Sequence, residues 1–279
     1  MYRDNTPSSF ADYAKKYAWA IILGGMLLIL FGFGTPANRN AANSGTTTDT
    51  TTAETITFDG GIFESTANEV QGQMAGWFNS VTMSTYNCPN SDIASAHLYE
   101  GVAQYQLANM IQAATEFGNA IAIDPACYHA HMGRGVSRAW MEHWDMAVTD
   151  FTEAISLQPD QYNPYIGRTL SYMFMDDYTS ALTDANVAVD LAPPALQSYT
   201  YGIRGSIYDH LEAYPRSIAD YEEAIRLDPQ NAYMYWGIGN VYTYTGDYDA
   251  AVNAYQQYAE ITGELEPFMQ EFIAWAQSQ

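Results

Sequence analysis

Basic residues are scarce in this 279-residue chain, which has ten Lys and Arg against 32 Asp and Glu. Every lysine lies at or before position 16, and only six arginines follow Arg39. A protein this acidic is repelled by nucleic acid and by anionic lipid headgroups. Neither is therefore expected as a partner, and the expected partners are other proteins.

Sequence motifs for chemistry are also missing. The chain has no glycine-rich phosphate loop, no nucleophile elbow and no His-Glu-x-x-His run. Cys127, His129 and His131 are close in sequence, but residues two apart on a helix point to different sides and do not converge on one ion. The sequence predicts no catalytic residues, no metal and no cofactor, and we expect that the protein is not an enzyme.

An internal repeat dominates the second half of the chain. Four segments end in similar hexapeptides that close with proline, and these prolines are spaced 34, 34 and 36 residues apart. A fixed period of this size indicates a stacked-repeat architecture. Each proline stops a helix, because it lacks an amide donor and clashes with the preceding turn. The four are Pro125, Pro159, Pro193 and Pro229.

The units share a pattern of a small residue, an aromatic four positions later and an alanine three positions beyond that, except for Ala185 in the third unit and Tyr258 in the fifth. The sets are Ala113, Phe117 and Ala120; Ala147, Phe151 and Ala154; Ala181, Ala185 and Ala188; Ser217, Tyr221 and Ala224; and, in a degenerate fifth unit, Ala251, Tyr255 and Tyr258. In every unit, a second helical stretch lies before this pattern and has a small residue that lets the two helices approach closely. These small residues are Gly101, Gly135, Thr169, Gly205 and Gly239.

This order closely resembles the tetratricopeptide repeat over about residues 94–264. The third unit departs from the pattern at Thr169 and Ala185, and two extra residues near Pro194 lengthen one loop. The resemblance implies an all-α, right-handed solenoid of about five helical hairpins. It also implies a protein that acts by binding other proteins.

Amphipathic segments flank the repeats. Residues 66–81 are predicted to form a helix with one apolar face, made by Val70, Met74, Trp77, Phe78 and Val81. A second helix is predicted over 267–277, with Leu265, Phe268, Phe272 and Trp275 at helical spacing. The second helix is expected to cover the last repeat, because terminal repeats need a cap to stay soluble.

A long apolar run lies near the N-terminus. Residues 17–34 contain no charged residue and are about long enough to span a bilayer as one helix. Cationic residues lie mainly before this run, and this bias places the N-terminus in the cytoplasm and the repeats outside it. A cleaved signal peptide is the alternative, but the run is longer than a typical signal core. We expect a retained anchor.

Residues 35–60 are rich in Thr, Ala and Asn and have almost no large apolar side chains, so a flexible tether is predicted there. These patterns predict a single-pass protein of the cell membrane whose partners are membrane-proximal or membrane-embedded proteins. The predicted organisation is 1–16 cytoplasmic segment, 17–34 transmembrane helix, 35–60 linker, 61–92 flanking helix and loop, 94–264 five repeats, and 265–279 capping helix.

The two cysteines, Cys88 and Cys127, are 39 positions apart, and each lies just before the first helix of consecutive units. The starts of successive first helices are expected to be neighbours, and an extracytoplasmic location permits oxidation. The interpretations left open are a disulfide and two unpaired, partly buried thiols.

The resemblance also implies a partner-binding groove lined by the first helices. Stepping along those helices at i, i+4 and i+7 or i+8 defines one inward stripe per unit: Leu98, Val102 and Tyr105; Met132, Val136 and Trp140; Ile166, Leu170 and Phe174; Gly202, Ser206 and His210; and Trp236, Asn240 and Tyr244. No stripe position is Lys or Arg, so a clamp for a terminal carboxylate is not expected.

An apolar groove predicts binding of an amphipathic helix or an extended apolar peptide. Two alternatives remain open for the stripe: ordinary packing between units, and occupation by the chain's own 53–92 segment. The function predicted first is a membrane-anchored interaction scaffold. The alternative is a permanent accessory subunit of a larger membrane or surface assembly.

Overall fold

A computed structural model describes residues 88–278, and within this range the chain forms eleven α-helices and no strand. Predictions for residues 1–87, including the anchor, the tether and the 66–81 helix, lie outside the described residues. The helices are α1 (Asp92–Gln106), α2 (Met110–Ile123), α3 (Tyr128–Trp140), α4 (Trp144–Leu157), α5 (Tyr162–Phe174), α6 (Tyr178–Leu191), α7 (Gln197–His210), α8 (Tyr214–Leu227), α9 (Ala232–Thr245), α10 (Tyr248–Thr262) and α11 (Pro267–Ala276).

Helices α1 to α10 form five successive hairpins, each of which packs on the next through its second helix. The all-α solenoid expected from the repeat is therefore confirmed for the described residues. The two extra residues after the third hairpin are found in a short 3₁₀ turn, Pro194–Leu196, which leads directly into α7. None of the helices described here combines the length and the apolar character that crossing a membrane requires.

On the second helices α2 and α4, an aromatic side chain is held between two glycines. A Cβ added to Gly101 would lie 2.7 Å from the Phe117 ring, and one added to Gly133 of the next hairpin would lie 2.5 Å from it. Phe151 has the same relation to Gly135 and Gly167, at 2.9 and 2.6 Å. Contacts below 3 Å leave no room for a side chain, so these glycines are required by the packing of the rings.

The third hairpin fills the equivalent space with different residues. Here Ala185 replaces the aromatic, Thr169 replaces the glycine of its own hairpin, and Ile203 replaces the glycine of the next. All three are buried, at 2, 1 and 9 % exposure. The side-chain volume lost at Ala185 is thus returned from both sides, as close packing requires. This compensation accounts for two of the departures from the repeat pattern.

A buried ion pair joins the two helices of each central hairpin. The Arg168 guanidinium donates to both carboxylate oxygens of Asp184, at 2.7 and 2.8 Å, and the Arg204 guanidinium donates likewise to Asp220. In the second hairpin Asp150 accepts from Arg134 and also from Arg138. Each main pair is 16 residues apart, and the bidentate geometry fixes the orientation of the two helices.

The turn inside each hairpin places one residue in the left-handed backbone region. The residues are Ala108, Glu142, Asp176 and Glu212, with φ of 56–60°, and glycine stands at the fifth position as Gly246. A side chain with a Cβ is disfavoured there, whereas glycine is not.

Replacing Glu142 with glycine is expected to stabilise the fold by about 1 kcal/mol, because it relieves the left-handed strain without loss of a buried contact. Thermal unfolding of the variant measures the gain. The reciprocal change, Gly246→Ala, is the matched control and should lower stability. A lower melting temperature for Glu142→Gly would contradict the explanation.

Candidate partner-binding groove

The structure separates the fifteen predicted stripe residues into two groups. Ten are buried, and those with large side chains belong to the apolar core clusters of the solenoid. The buried positions are Leu98, Tyr105, Met132, Val136, Ile166, Leu170, Gly202, Ser206, Trp236 and Asn240. Five remain accessible: Val102, Trp140, Phe174, His210 and Tyr244. The stripe therefore contributes more to packing than the helical spacing indicated.

Four of these five residues cluster at one end of the first helices, whereas Val102 lies inside α1. Trp140, Phe174 and His210 are the last residues of α3, α5 and α7, and Tyr244 precedes the last residue of α9. Trp140 is the most open of them, at 45 % exposure. Because these positions recur in successive hairpins, they form one row along the solenoid.

Each member of the row contacts an aromatic of the preceding hairpin. Phe174 stacks on Trp144 with ring centroids 4.1 Å apart and planes 4° apart. His210 meets the Tyr178 ring edge-on at 4.6 Å, and Tyr244 stacks with Tyr214 at 6.4 Å. The row continues into α11, where Trp275 meets Tyr248 at 4.9 Å.

Trp140 begins this row with a hydrogen bond rather than a stack. Its indole Nε1 donates to the Tyr105 hydroxyl at 2.9 Å. Burial raises the pKa of Tyr105 and the bond from Trp140 offsets only part of that effect, so the hydroxyl remains protonated. We call the set Trp140, Phe174, His210, Tyr244 and Trp275 the aromatic row. Such rings offer apolar area with polar edges, a composition suited to protein contacts.

Sequence reasoning missed the partners of the row. Each second helix from α4 to α10 opens with an aromatic, namely Trp144, Tyr178, Tyr214 and Tyr248. Their spacing of 34, 36 and 34 residues was the available signal. Their side chains connect neighbouring hairpins, so the row is held by the solenoid frame.

The charge around the row is acidic. Four of the six arginines after Arg39 are used in the buried pairs with Asp150, Asp184 and Asp220. Of the other two, Arg226 pairs with Glu223 on the surface, and Arg216 lies 5.7 Å from the Tyr208 ring centroid. The remaining surface acids of the described residues are therefore largely uncompensated, which disfavours acidic partners.

Cys88 and Cys127 form a disulfide at the start of the first two hairpins. The surrounding loop is fixed by Asn90, whose backbone and side-chain nitrogens both donate to the Asp124 carboxylate at 2.9 Å. Burial alone would raise the pKa of Asp124, but the hydrogen bonds from Asn90 and Ala126 outweigh it, and the pKa is lowered. The carboxylate stays ionised and holds the two loops together.

The histidines near Cys127 have structural contacts. His131 is buried, and its Nε2 lies 3.0 Å from the Pro125 carbonyl oxygen. The His129 ring meets Tyr128 edge-on at 5.2 Å. Within residues 88–278 there is no group of three or more His, Cys, Asp or Glu placed to hold a metal ion.

A regular array of helical hairpins with a row of accessible aromatics defines the class of protein: a helical-repeat solenoid. Family models described as "TPR repeat" and "Tetratricopeptide repeat" match residues 205–243 and 232–264. Residues 205–264 are therefore similar in sequence to the tetratricopeptide repeat family. No curated protein matches it.

Several solved structures share the fold. PilW, a type IV pilus biogenesis factor, superposes with a TM-score of 0.61 at 14 % identity, covering 67 % of this chain and 87 % of PilW. PilF of Pseudomonas aeruginosa gives 0.56 at 16 %, with coverages of 67 % and 89 %. MamA of Desulfovibrio magneticus RS-1 gives 0.58 at 18 %, with coverages of 62 % and 96 %. At these identities the likeness establishes the fold alone.

Proposed function

We propose that this protein is a non-catalytic, membrane-anchored scaffold that binds an apolar segment of a partner protein along the aromatic row. Tetratricopeptide repeats are protein-interaction modules, and this part rests on the family. The single observation that carries the finer proposal is the aromatic row, since four of its members recur at the ends of successive first helices. Rigid aromatic anchors at repeated spacing are typical of contact surfaces that dominate binding energy.

The partner segment is inferred to be helical or extended, and neutral or basic. The row consists of aromatic side chains, and none of the fifteen stripe positions is Lys or Arg. A segment with apolar residues at helical or alternating spacing can insert one side chain between successive hairpins. An acidic segment would be repelled by the surrounding carboxylates.

The proposed location is the outer side of the cell membrane, with the N-terminus in the cytoplasm. It is supported by the uncharged run 17–34 and by the cationic residues before it. The Cys88–Cys127 disulfide supports it independently, because such bonds persist in oxidising compartments. An anchor confines the row near membrane-proximal partners and raises its effective concentration toward them.

Photoreactive residues introduced at Trp140 and Phe174 are expected to crosslink a partner protein in native membranes. Ile123 lies on a second helix and has nearly the same exposure as Trp140, 44 against 45 %, so it is the matched control. Trp140→Ala should weaken binding of the captured partner by about 30-fold or more, as for an aromatic hot spot. Equal capture from Ile123 and from the row would overturn the proposal.

The topology is tested with a single cysteine introduced in the tether at Thr48, since the native cysteines are bonded to each other. A membrane-impermeant maleimide added outside intact cells is expected to label this variant. A cysteine placed at Ser8 serves as the control and should react only after the membrane is opened. Labelling of Thr48→Cys solely from the cytoplasmic side would refute the proposed orientation.

A further inference from the structure

Within residues 88–278, no helix covers one side of the first hairpin. From α3 onward, each first helix packs against the second helix of the preceding hairpin, in the pairs α2 and α3, α4 and α5, α6 and α7, and α8 and α9. Residues on this side of α3, α5, α7 and α9 are buried: Ala130, Ser137, Pro164, Ser171, Thr200, Ile207, Met234 and Val241.

The equivalent positions of α1 are accessible to solvent. Ala96 is exposed and Ala103 is only half-buried. Ile93, at the start of this side, is 66 % exposed, whereas the equivalent residue of the next hairpin, Cys127, is fully buried. A side that is buried in the second to fifth hairpins and open in the first lacks a packing partner among the described residues.

The other end of the solenoid shows how this chain covers such a side. Helix α11 follows the last hairpin and buries Phe268, Met269 and Phe272 against Tyr255 and Tyr258. This confirms the predicted helix at the C-terminal end of the repeats. An amphipathic helix of the same chain is thus the covering element at one end.

We infer that residues 66–81 form a helix that docks on the open side of α1 and closes the N-terminal end of the solenoid. This segment lies outside the described residues, and its sequence has the required apolar face, including Trp77 and Phe78. Sixteen helical residues span about 24 Å, close to the 15-residue length of α1. The small side chains of Ala96 and Ala103 leave space into which bulky rings can pack.

The disulfide fixes Cys88, which follows this segment in the chain, beside the first turn of α1. Cys88 is buried and bonded to Cys127, so the chain that precedes it starts from a fixed point near the first turn of α1. Only six residues separate Val81 from Cys88, a reach of about 20 Å. We expect the docked segment to run antiparallel to α1, as each second helix does to the first helix that follows it.

A second copy of the chain fits this side less well. Glu100 is exposed in the middle of the open side. A symmetric contact between two α1 helices would bring the two Glu100 carboxylates together, which is unfavourable. Residues 66–81 carry a single charge, Glu69, near their far end, and as part of the same chain they have a high effective concentration.

Crosslinking from the open side tests the inference in the full-length protein. A photoreactive residue at Ile93 is expected to link within the same chain to peptides from 66–81, as identified by mass spectrometry. Links to a second copy or to another protein, or the absence of any link to 66–81, would overturn it. The aromatic row is not involved, so failure here leaves the proposed partner site untouched.

Hydrogen exchange supplies a second readout with a matched pair of variants. Ala96→Glu is expected to lower the amide protection of residues 66–81 by at least about tenfold, while the protection of α4 is unchanged. Ala122→Glu makes the same substitution at an exposed position of α2 and should leave both segments as they are. Unchanged protection of 66–81 in Ala96→Glu would contradict the docking.

Discussion

Replacing Arg168 with methionine is expected to destabilise the protein by about 3–5 kcal/mol, because it leaves the carboxylate of Asp184 buried without its cation. Asp184 is only 4 % exposed, and two of its hydrogen bonds come from the Arg168 guanidinium. Chemical denaturation of the detergent-solubilised protein, followed by circular dichroism, measures the loss.

Two comparisons isolate the buried charge as the cause. The double variant Arg168→Met with Asp184→Leu removes both charges and should recover most of the stability, since apolar replacement of a buried pair is close to neutral. Arg226→Met removes an exposed pair with Glu223 and should produce no measurable change. If the double variant is as unstable as the single one, the ion pair is not the source of the loss.

Truncating Phe151 to alanine is expected to cost about 3–5 kcal/mol, because the ring is fully buried and fills the space left by Gly135 and Gly167. The residues of the third hairpin indicate how the lost stability can be restored. There Thr169, Ala185 and Ile203 fill the same three positions without an aromatic. The triple variant Gly135→Thr, Phe151→Ala and Gly167→Ile should therefore regain much of the lost stability.

The packing explanation is tested by comparing the free energies of unfolding of these variants. Gly167→Ile alone is expected to be destabilising, because a Cβ at Gly167 already lies 2.6 Å from the Phe151 ring. Phe151→Ala and Gly167→Ile should thus each lower the stability when made alone, and the triple variant should lose less than the sum of the single losses. Such non-additivity is typical of residues in contact. Additive losses in the triple variant would show that the third hairpin packs by another arrangement.

The repeat pattern predicted the helices and their ends well, because it depends on local chemistry. Proline fixes where the second helix stops in the first four hairpins, and the small and aromatic positions fix which faces meet. The expected cap was found as α11, opening at Pro267. These features depend on residues a few positions apart, so a single unit already contains the signal.

The candidate site was less predictable. Helical spacing identified a face of each first helix, but it gives no distance to the neighbouring hairpin, and ten of the fifteen positions are buried. The Arg168–Asp184 pair, 16 residues apart, was missed because its contact requires the two helices of a hairpin to fold together. The stack of Trp144 on Phe174 was missed because it joins different hairpins.

By itself the sequence determined the repeat, the number of hairpins and the helical faces, since each follows from the periodic placement of small, aromatic and proline residues. Only the tertiary structure decided which residues of the first helices stay accessible, how the arginines neutralise buried acids, and that Ala185 is balanced by Thr169 and Ile203. Those outcomes depend on volumes and charges contributed by neighbouring helices, and side chains come into contact across hairpins only when the solenoid is assembled.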